Sequence, residues 1–386
     1  MYELIVSEKD NTARRIAQIL SEDKLKTEKV QKVPAYFFSR GGKDFSCIGL
    51  KGHILKVDFP LEYQDWQKVD PKSLIDAPII KIPSQKAIIK ALQSLAKGAE
   101  RVIIACDFDR EGELIGVDAL NKIREINSSL EAKRARFSAL TDIEIKRAFD
   151  NLDDVYVNLA RAGETRQDID LIWGATLTRF LSLASRRLWK QFLSVGRVQS
   201  PTLSFIVQRE KERKAFIPKS YWQLKGLFGS REGEFVALHK QGRFWDKEEL
   251  EKILAKLNLS PTCRGVTRGK VVSVQEKERN LTPPAPFNTT AFLIQAAIIG
   301  VPPSMAMRIA ESLYIRGFIS YPRVDNTVYP SSLNLRDILN AIKESPDLGG
   351  LVKEVLTQEK IIPTKGKKFS TDHPPIHPTG VALKEK

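Results

Sequence analysis

The chain has 386 residues, with 62 lysines and arginines against 47 aspartates and glutamates, a net charge of +15. That length gives material for two to four domains, and the basic excess favours a polyanionic partner, with an anionic membrane surface as the rival to nucleic acid. No apolar run approaches the roughly 20 residues that span a bilayer, no signal peptide precedes Tyr2, and the scattered Cys47, Cys106 and Cys263 form no CxxC pair and fit a reducing compartment, so a soluble cytoplasmic protein is expected.

Tyr2–Ser7, YELIVS, reads as a short apolar strand running straight into Glu8 and Lys9, and Ala13, Ile16, Ala17 and Leu20 then recur at helical spacing. An irregular, strand-rich stretch follows, with Gly52-His53 and PLEYQDW at Pro60–Trp66. A helix from about Ser84 to Lys97 buries Ile88, Ile89, Leu92 and Leu95 and stops at Gly98, expected as a left-handed cap.

The rest of the chain is organised around Arg101–Glu113, RVIIACDFDREGE. Val102–Cys106 is an unbroken apolar run of the kind buried on both faces of a parallel sheet. It ends in Asp107, Asp109, Glu111 and Glu113 at every second position, and in extended backbone at least the first two share a face. Convergent carboxylates repel unless a cation sits between them, and all-oxygen ligands suit Mg²⁺; a solvated acidic turn is the plainer alternative. A helix after Gly112, a strand near Ala135–Phe137 and a helix opened by a Thr141/Glu144 capping box complete an α/β pattern over residues 1–150. Ligands of open parallel sheets bind at the carboxyl ends of the strands, which puts Glu8 and the Asp107 cluster at one edge.

Residues 151–212 turn helical and basic, with Arg161, Arg166, Arg179, Arg186 and Arg187, then SVGRVQSPTL leading into a helix with Pro201 in its first turn. Such arginines read as a solvated face, or as phosphate contacts where Ser194, Arg197, Gln199 and Ser200 cluster at a helix start. Residues 213–283 look strand-rich, in SYWQLKGLFG, GEFVALHK and GKVVSVQEKE, with one helix opened by Asp246. From 284 to 386, PPAPFNTT introduces helices over about 289–299 and 303–316, closed by Gly300 and Gly317, a short strand FISYPRV, and a Lys- and Pro-rich tail containing TDHPPIHPTG.

On FISYPRV, Tyr321 and Arg323 are one residue apart and share a face. A tyrosine hydroxyl can attack phosphorus and a guanidinium can stabilise the charge that develops, while Pro322 suggests an edge strand facing a cleft. Taken alone, a tyrosine on a strand is a core or surface aromatic, and Tyr314 and Tyr329 stand nearby. No GxxxxGK[ST] phosphate cradle occurs, so ATP hydrolysis is not expected.

A Glu after one strand and DxD after another resembles the Toprim domain of topoisomerases, bacterial primases and some nucleases. The whole chain, in order, resembles type IA DNA topoisomerases: LIVSEKDNTARRIA, DFDREGELI, SVGRVQSPTL, PPAPF with GFISYPRVDNT, and DHPPIHPT each match a family motif. The SEK opening and YPR form lean toward topoisomerase III and archaeal members. Val324 and Asn326 depart from the usual TDS, Pro374-Pro375 depart in the histidine motif, and the chain stops at Lys386 where family members continue, which suggests a fragment.

The resemblance implies a multidomain α/β and α+β fold: a Toprim domain with a Rossmann-like parallel sheet, a helical single-strand DNA-binding part, a strand-rich arch segment, and a helical domain with the catalytic tyrosine. It implies Tyr321 as nucleophile, Arg323 at the scissile phosphate, Lys9 contacting that phosphate or protonating the 3′ oxygen, Glu8 in proton transfer and metal binding, and His373 near the tyrosine. Asp107, Asp109 and Glu111 would hold Mg²⁺ with Glu8, and Arg166, Ser194, Arg197 and Gln199 would grip single-stranded DNA upstream of the break. The expected activity is Mg²⁺-dependent, ATP-independent cleavage of one strand through a 5′-phosphotyrosine, strand passage and religation, relaxing negatively supercoiled DNA. It would be carried out by a nucleoid-associated monomer without a membrane role. A Toprim nuclease or primase, or a non-catalytic DNA-binding fragment, are the alternatives.

Overall fold

The computed structural model describes residues 2–231, 233–260, 262 and 268–380, so Cys263 lies outside the described residues. The chain divides into two compact units, Met1–Arg197 with Pro283–Lys386, and Val198–Thr282.

In the first unit, β1 (Tyr2–Ser7) leads into α1 (Asp10–Leu20), and β2 (Lys26–Val30), β3 (Val33–Arg40) and β4 (Lys43–Gly49) follow as an antiparallel run. β5 (Leu55–Asp58) pairs separately with β6 (Ile80–Pro83). After α2 (Lys86–Ala96) come β7 (Ala99–Ile104), α3 (Arg110–Arg124), β8 (Glu131–Arg134) and α4 (Asp142–Asp150). The six-stranded sheet has the order β2-β3-β4-β1-β7-β8, with β4, β1, β7 and β8 parallel.

Alternation along each strand fixes the layers. Leu4, Val6, Val102 and Ile104 face α2 and α3, whereas Ile5 and Ile103 face Ala13, Ile16 and Ala17 of α1 and Ile145 and Phe149 of α4. Each fully buried leucine or isoleucine contributes about 1.5–3 kcal/mol, so covering both faces makes the strand pair β1–β7 the rigid base of the acidic loops. Two details differ from expectation. The last strand ends at Arg134 rather than running over 135–137, because β7 itself stops at Ile104 and leaves no ladder partner, although Ala135 and Phe137 are buried. Gly98 is not left-handed; α2 ends through right-handed Lys97, and a Cβ at Gly98 would come 3.2 Å from the ring of Tyr2, whose hydroxyl donates to Leu95 O at 2.6 Å.

α5 (Val157–Ala184) packs on α3. In the second unit, α6 (Gln199–Ala215) has no buried residue, β9 (Lys225–Ser230) and β10 (Gly233–Leu238) form a hairpin, and α7 (Lys247–Lys256), capped by Asp246, packs Leu250 and Leu254 on Phe244. Residues 269–278 form no strand: Val271, Val272 and Val274 are exposed and find no sheet edge among the described residues.

Back in the first unit, α8 (Thr289–Ile298) and α9 (Pro303–Ile315) meet at 120°, and Gly300 and Gly317 follow them at φ +86° and +75°. α10 (Leu335–Ile342) and α11 (Gly349–Leu356) follow. Among the described residues no single helix is long and apolar enough to cross a membrane. FISYPRV is extended but is not a ladder strand. Its pairing is the single bridge Ile319–Pro378, after which Tyr321 N donates to Ser138 O at 2.8 Å and Pro322 has no N–H to continue. Tyr321 and Val324 join the α1–α4 core, so the segment belongs to the same compact unit as the sheet.

Candidate active site

Three stretches converge at the carboxyl ends of β1 and β7. Glu8 and Lys9 follow β1, Asp107, Asp109 and Glu111 lead into α3, and Tyr321 and Arg323 arrive from beyond α9; with Glu311 and Tyr314 they line one pocket. Lys9 Nζ lies 3.4 Å from Glu8.

The acidic loop is held from two sides. Asp109 is the N-cap of α3, its carboxylate accepting from Gly112 N at 2.8 Å, and the turn admits only glycine at 112 because a Cβ there would sit 2.1 Å from Asp107 O. Behind it the fully buried Arg134 ion-pairs with Glu113 and donates to the carbonyls of Cys106 at 2.7 Å and Asp107 at 3.2 Å. Glu113, the fourth of the alternating acids, therefore serves the interior.

Two tyrosines cap the two aspartates. Tyr321 donates to Asp109 Oδ2 at 2.6 Å and Tyr314 to Asp107 Oδ1 at 3.0 Å, with the rings edge to face at 5.3 Å. Burial, and then the charge of Glu8, pushes the Asp107 carboxyl up to about 7. Burial first, then Asp107 and Asp109, push the Tyr321 hydroxyl well above the ordinary tyrosine range, and burial and Asp107 do the same for Tyr314.

His373 lies against the Tyr321 ring at 4.7 Å, and its Nδ1 shares a hydrogen bond with Ser138 Oγ at 2.8 Å. Burial lowers its pKa to about 4, so the imidazole is neutral at neutral pH. Ser138 is placed by Glu144, whose carboxylate accepts from Ser138 N. The expected capping box is thus half made: Thr141 Oγ1 accepts from Glu144 N at 3.4 Å while Glu144 reaches Ser138. Asn326 ties the tyrosine and histidine segments together, donating to Ser370 O at 2.8 Å and His373 O at 3.1 Å.

Arg166, Ser194 and Arg197 do not line the tyrosine pocket. Arg166 of α5 lies 3.5 Å from Glu111, whose other oxygen lies 3.1 Å from His53 Nε2. Arg197 holds Asp170 through two contacts of 2.5 and 3.1 Å, and Ser194 sits in a segment pinned to α5 by Val195 N donating to Thr178 Oγ1 at 3.0 Å. Gln199 is the first residue of α6 and belongs to the second unit. Arg323 is engaged by Glu311, Nε to Oε1 at 3.1 Å.

Glu8, Asp107, Asp109 and Glu111 line one pocket, yet among the described residues no group of three or more His, Cys, Asp or Glu is disposed to hold a metal ion. Tyrosine hydroxyls occupy two of the acids, and His53 and Arg166 draw Glu111 away. The donor set, carboxylates from Glu8, Asp107, Asp109 and Glu111 around one pocket, still suits a hard divalent cation. Sequence reasoning named Gly52-His53 without giving the histidine a role, named Tyr314 only as a neighbour of Tyr321, and did not single out Ser138, Glu311 or the pairing of Tyr314 with Asp107.

A DNA topoisomerase family model matches residues 154–386 and a Toprim domain model matches residues 3–140. DNA topoisomerase 1 of Archaeoglobus fulgidus is 47% identical over 379 residues, 98% of this chain and 54% of that protein. DNA topoisomerase 1 of Thermoplasma acidophilum is 44% identical over 377 residues, 98% and 47% of the two chains. Human DNA topoisomerase 3-alpha is 30% identical over 390 residues, 97% and 38%. The chain thus spans about half the length of the first two of these relatives. Among solved structures, full-length topoisomerase I from Thermotoga maritima superimposes with a TM-score of 0.64 at 25% identity, covering 98% of this chain and 55% of that one. With its family match covering more than half of its residues, the chain belongs to the type IA DNA topoisomerases and carries their Toprim domain.

Proposed function

We propose that this chain carries the cleavage–religation centre of a type IA topoisomerase, with Tyr321 as nucleophile. The observation that carries this reading is the Tyr321 hydroxyl hydrogen-bonded to Asp109 in a pocket that Lys9 and Arg323 also line. The phenolic oxygen forms a bond to phosphorus as the P–O3′ bond breaks, leaving a 5′-phosphotyrosine. The phenolic proton goes to the acceptor already in place, Asp109, and the 3′ oxygen takes a proton from Lys9 with Glu8 beside it. Arg323 stabilises the charge on the transferring phosphate, for which that phosphate competes with Glu311. Neutral His373 orders the far face of the tyrosine. Reversal of the same bond changes reseals the strand, and because the ester conserves the bond energy no ATP is consumed.

Glu8, Asp107, Asp109 and Glu111 are the residues that would hold Mg²⁺, which when bound supplies positive charge beside the phosphate and offsets carboxylate repulsion. Arg166, Ser194, Arg197 and Gln199 grip single-stranded or negatively supercoiled DNA upstream of the break. Strand passage through an arch, relaxation of supercoils, and action as a nucleoid-associated cytoplasmic monomer complete the reading. Incubation with end-labelled single-stranded DNA and Mg²⁺, then denaturation, tests it: a covalent 5′-linked adduct is expected, a free 5′ phosphate would indicate a nuclease, and uncut DNA a binding scaffold.

A further inference from the structure

Ile315, which lines the tyrosine pocket, also lines a groove between α1 and α9 with Asn11, Arg14, Arg15, Gln18 and Arg316. Arg316 also borders a neighbouring groove on α9 with Arg308, Ile309 and Ser312. On α1, residues 11, 14, 15 and 18 share one face and span about 10 Å along the helix axis at 1.5 Å per residue. Arg308, Ile309 and Ser312 share one face of α9, and Arg316 is its C-cap.

The charge on this surface is one-sided. Arg15 has Asp142 at 3.2 Å, whereas Arg14 and Arg308 are exposed and make no ion pair among the described residues. Exposed Met305 and Ile309 stand among the arginines, a mixture of cations and apolar surface that suits a phosphate backbone with unstacked bases. An anionic bilayer would share the charge preference, but the surface is grooved and shares Ile315 with the tyrosine pocket rather than standing apart from it.

We infer that the α1–α9 groove binds the single strand on the 3′ side of the cleaved bond, the segment that stays attached to Tyr321 through its 5′ phosphate. This rests on the cleavage reading above. Arg166 and Arg197 engage the strand on the 5′ side, and Arg14, Arg308 and Arg316 engage the segment beyond the cut. The strand is then gripped on both sides of the tyrosine.

The test uses two oligonucleotide series sharing one mapped cleavage position, with the 3′ or the 5′ arm lengthened from about two to about eight nucleotides, within known single-strand site sizes. For the wild type, affinity rises with the 3′ arm. Arg14→Gln/Arg308→Gln/Arg316→Gln, exposed substitutions whose thermal melt checks the fold, abolishes that rise. It also lowers the salt slope by up to about 2, at roughly 0.7 per contact, and leaves the 5′ series unchanged. A full rise retained in the triple variant, an equal loss in both series, or a loss confined to phosphatidylserine vesicles would overturn the inference. If neither protein forms an adduct, the cleavage reading fails by itself, and photo-cross-linking of single-stranded DNA still scores the groove. Cross-links in α1 and α9 peptides that disappear in the triple variant support it, and none in those peptides overturns it.

Discussion

Tyr321 Oη lies 2.6 Å from Asp109 Oδ2, so the proposed nucleophile and a proposed cation ligand share one hydrogen. The carboxylate is placed to receive the phenolic proton. It also helps keep the hydroxyl protonated, since burial and the charges of Asp107 and Asp109 raise the tyrosine's pKa.

Replacing Asp107 and Asp109 together by Asn should lower the Tyr321 titration without returning it to the ordinary range, because burial is the larger cause. Adduct should still form in part, as Lys9 and Arg323 supply positive charge, but resealing should be poor and partly restored by Mn²⁺. The fraction of adduct religated after a shift to high salt is the readout, and wild-type resealing would mark these acids as structural.

His373 sets a pH dependence of stability. Its folded pKa of about 4 lies below its ordinary 6.5, so the unfolded chain binds the proton more readily. Its neutral form contributes fully above pH 6.5, and that contribution fades as the pH falls toward about 4, by up to about 3 kcal/mol in all. Urea midpoints measured across that window should fall for the wild type more steeply than for His373→Asn; equal slopes would show that the imidazole is not buried.

Arg134→Met should cost about 3–5 kcal/mol, because it leaves Glu113 charged in the core and frees the carbonyls of Cys106 and Asp107. Adding Glu113→Leu should recover much of the loss in urea unfolding. No recovery would mean that the carbonyl contacts of the guanidinium, rather than the ion pair, hold the loop.

Arg166→Ala and Arg197→Ala should each weaken single-strand binding about equally across sequences and lower the salt slope by up to about 0.7. Arg197 begins in a bidentate pair with Asp170, so Asp170→Asn should strengthen DNA binding. Unchanged slopes in both alanine variants would mean that the two arginines are merely solvated.

The central strands β1 and β7 were legible because the apolar runs Leu4–Val6 and Val102–Ile104 have one environment open to them, a layer covered on both faces, whereas β2, β3 and β4 were read only as a strand-rich stretch. Local punctuation was also readable where it acts within one turn, as with Asp246 capping α7 and Gly317 closing α9. What escaped was long-range. FISYPRV has strand composition, but Tyr321 N finds Ser138 and Pro322 ends the pairing. Glu144 fits a capping box by spacing, yet its carboxylate reaches Ser138. Equal spacing could not separate Glu113, claimed by buried Arg134, from the acids in the pocket. The tyrosine and acidic motifs fall more than 200 positions apart in the chain, Tyr321 to Asp109 being separated by 212, and only the fold brings them within hydrogen-bond reach.

The most direct measurement is to trap the adduct on single-stranded DNA with Mg²⁺, digest the protein, and identify the tyrosine that bears the nucleotide, in the wild type and in Tyr321→Phe. The account predicts the nucleotide on Tyr321 and no adduct in the variant, with single-strand affinity held within about twofold because phosphate contacts dominate it. A nucleotide on Tyr314 or Tyr329, or cleavage retained by Tyr321→Phe, would contradict it.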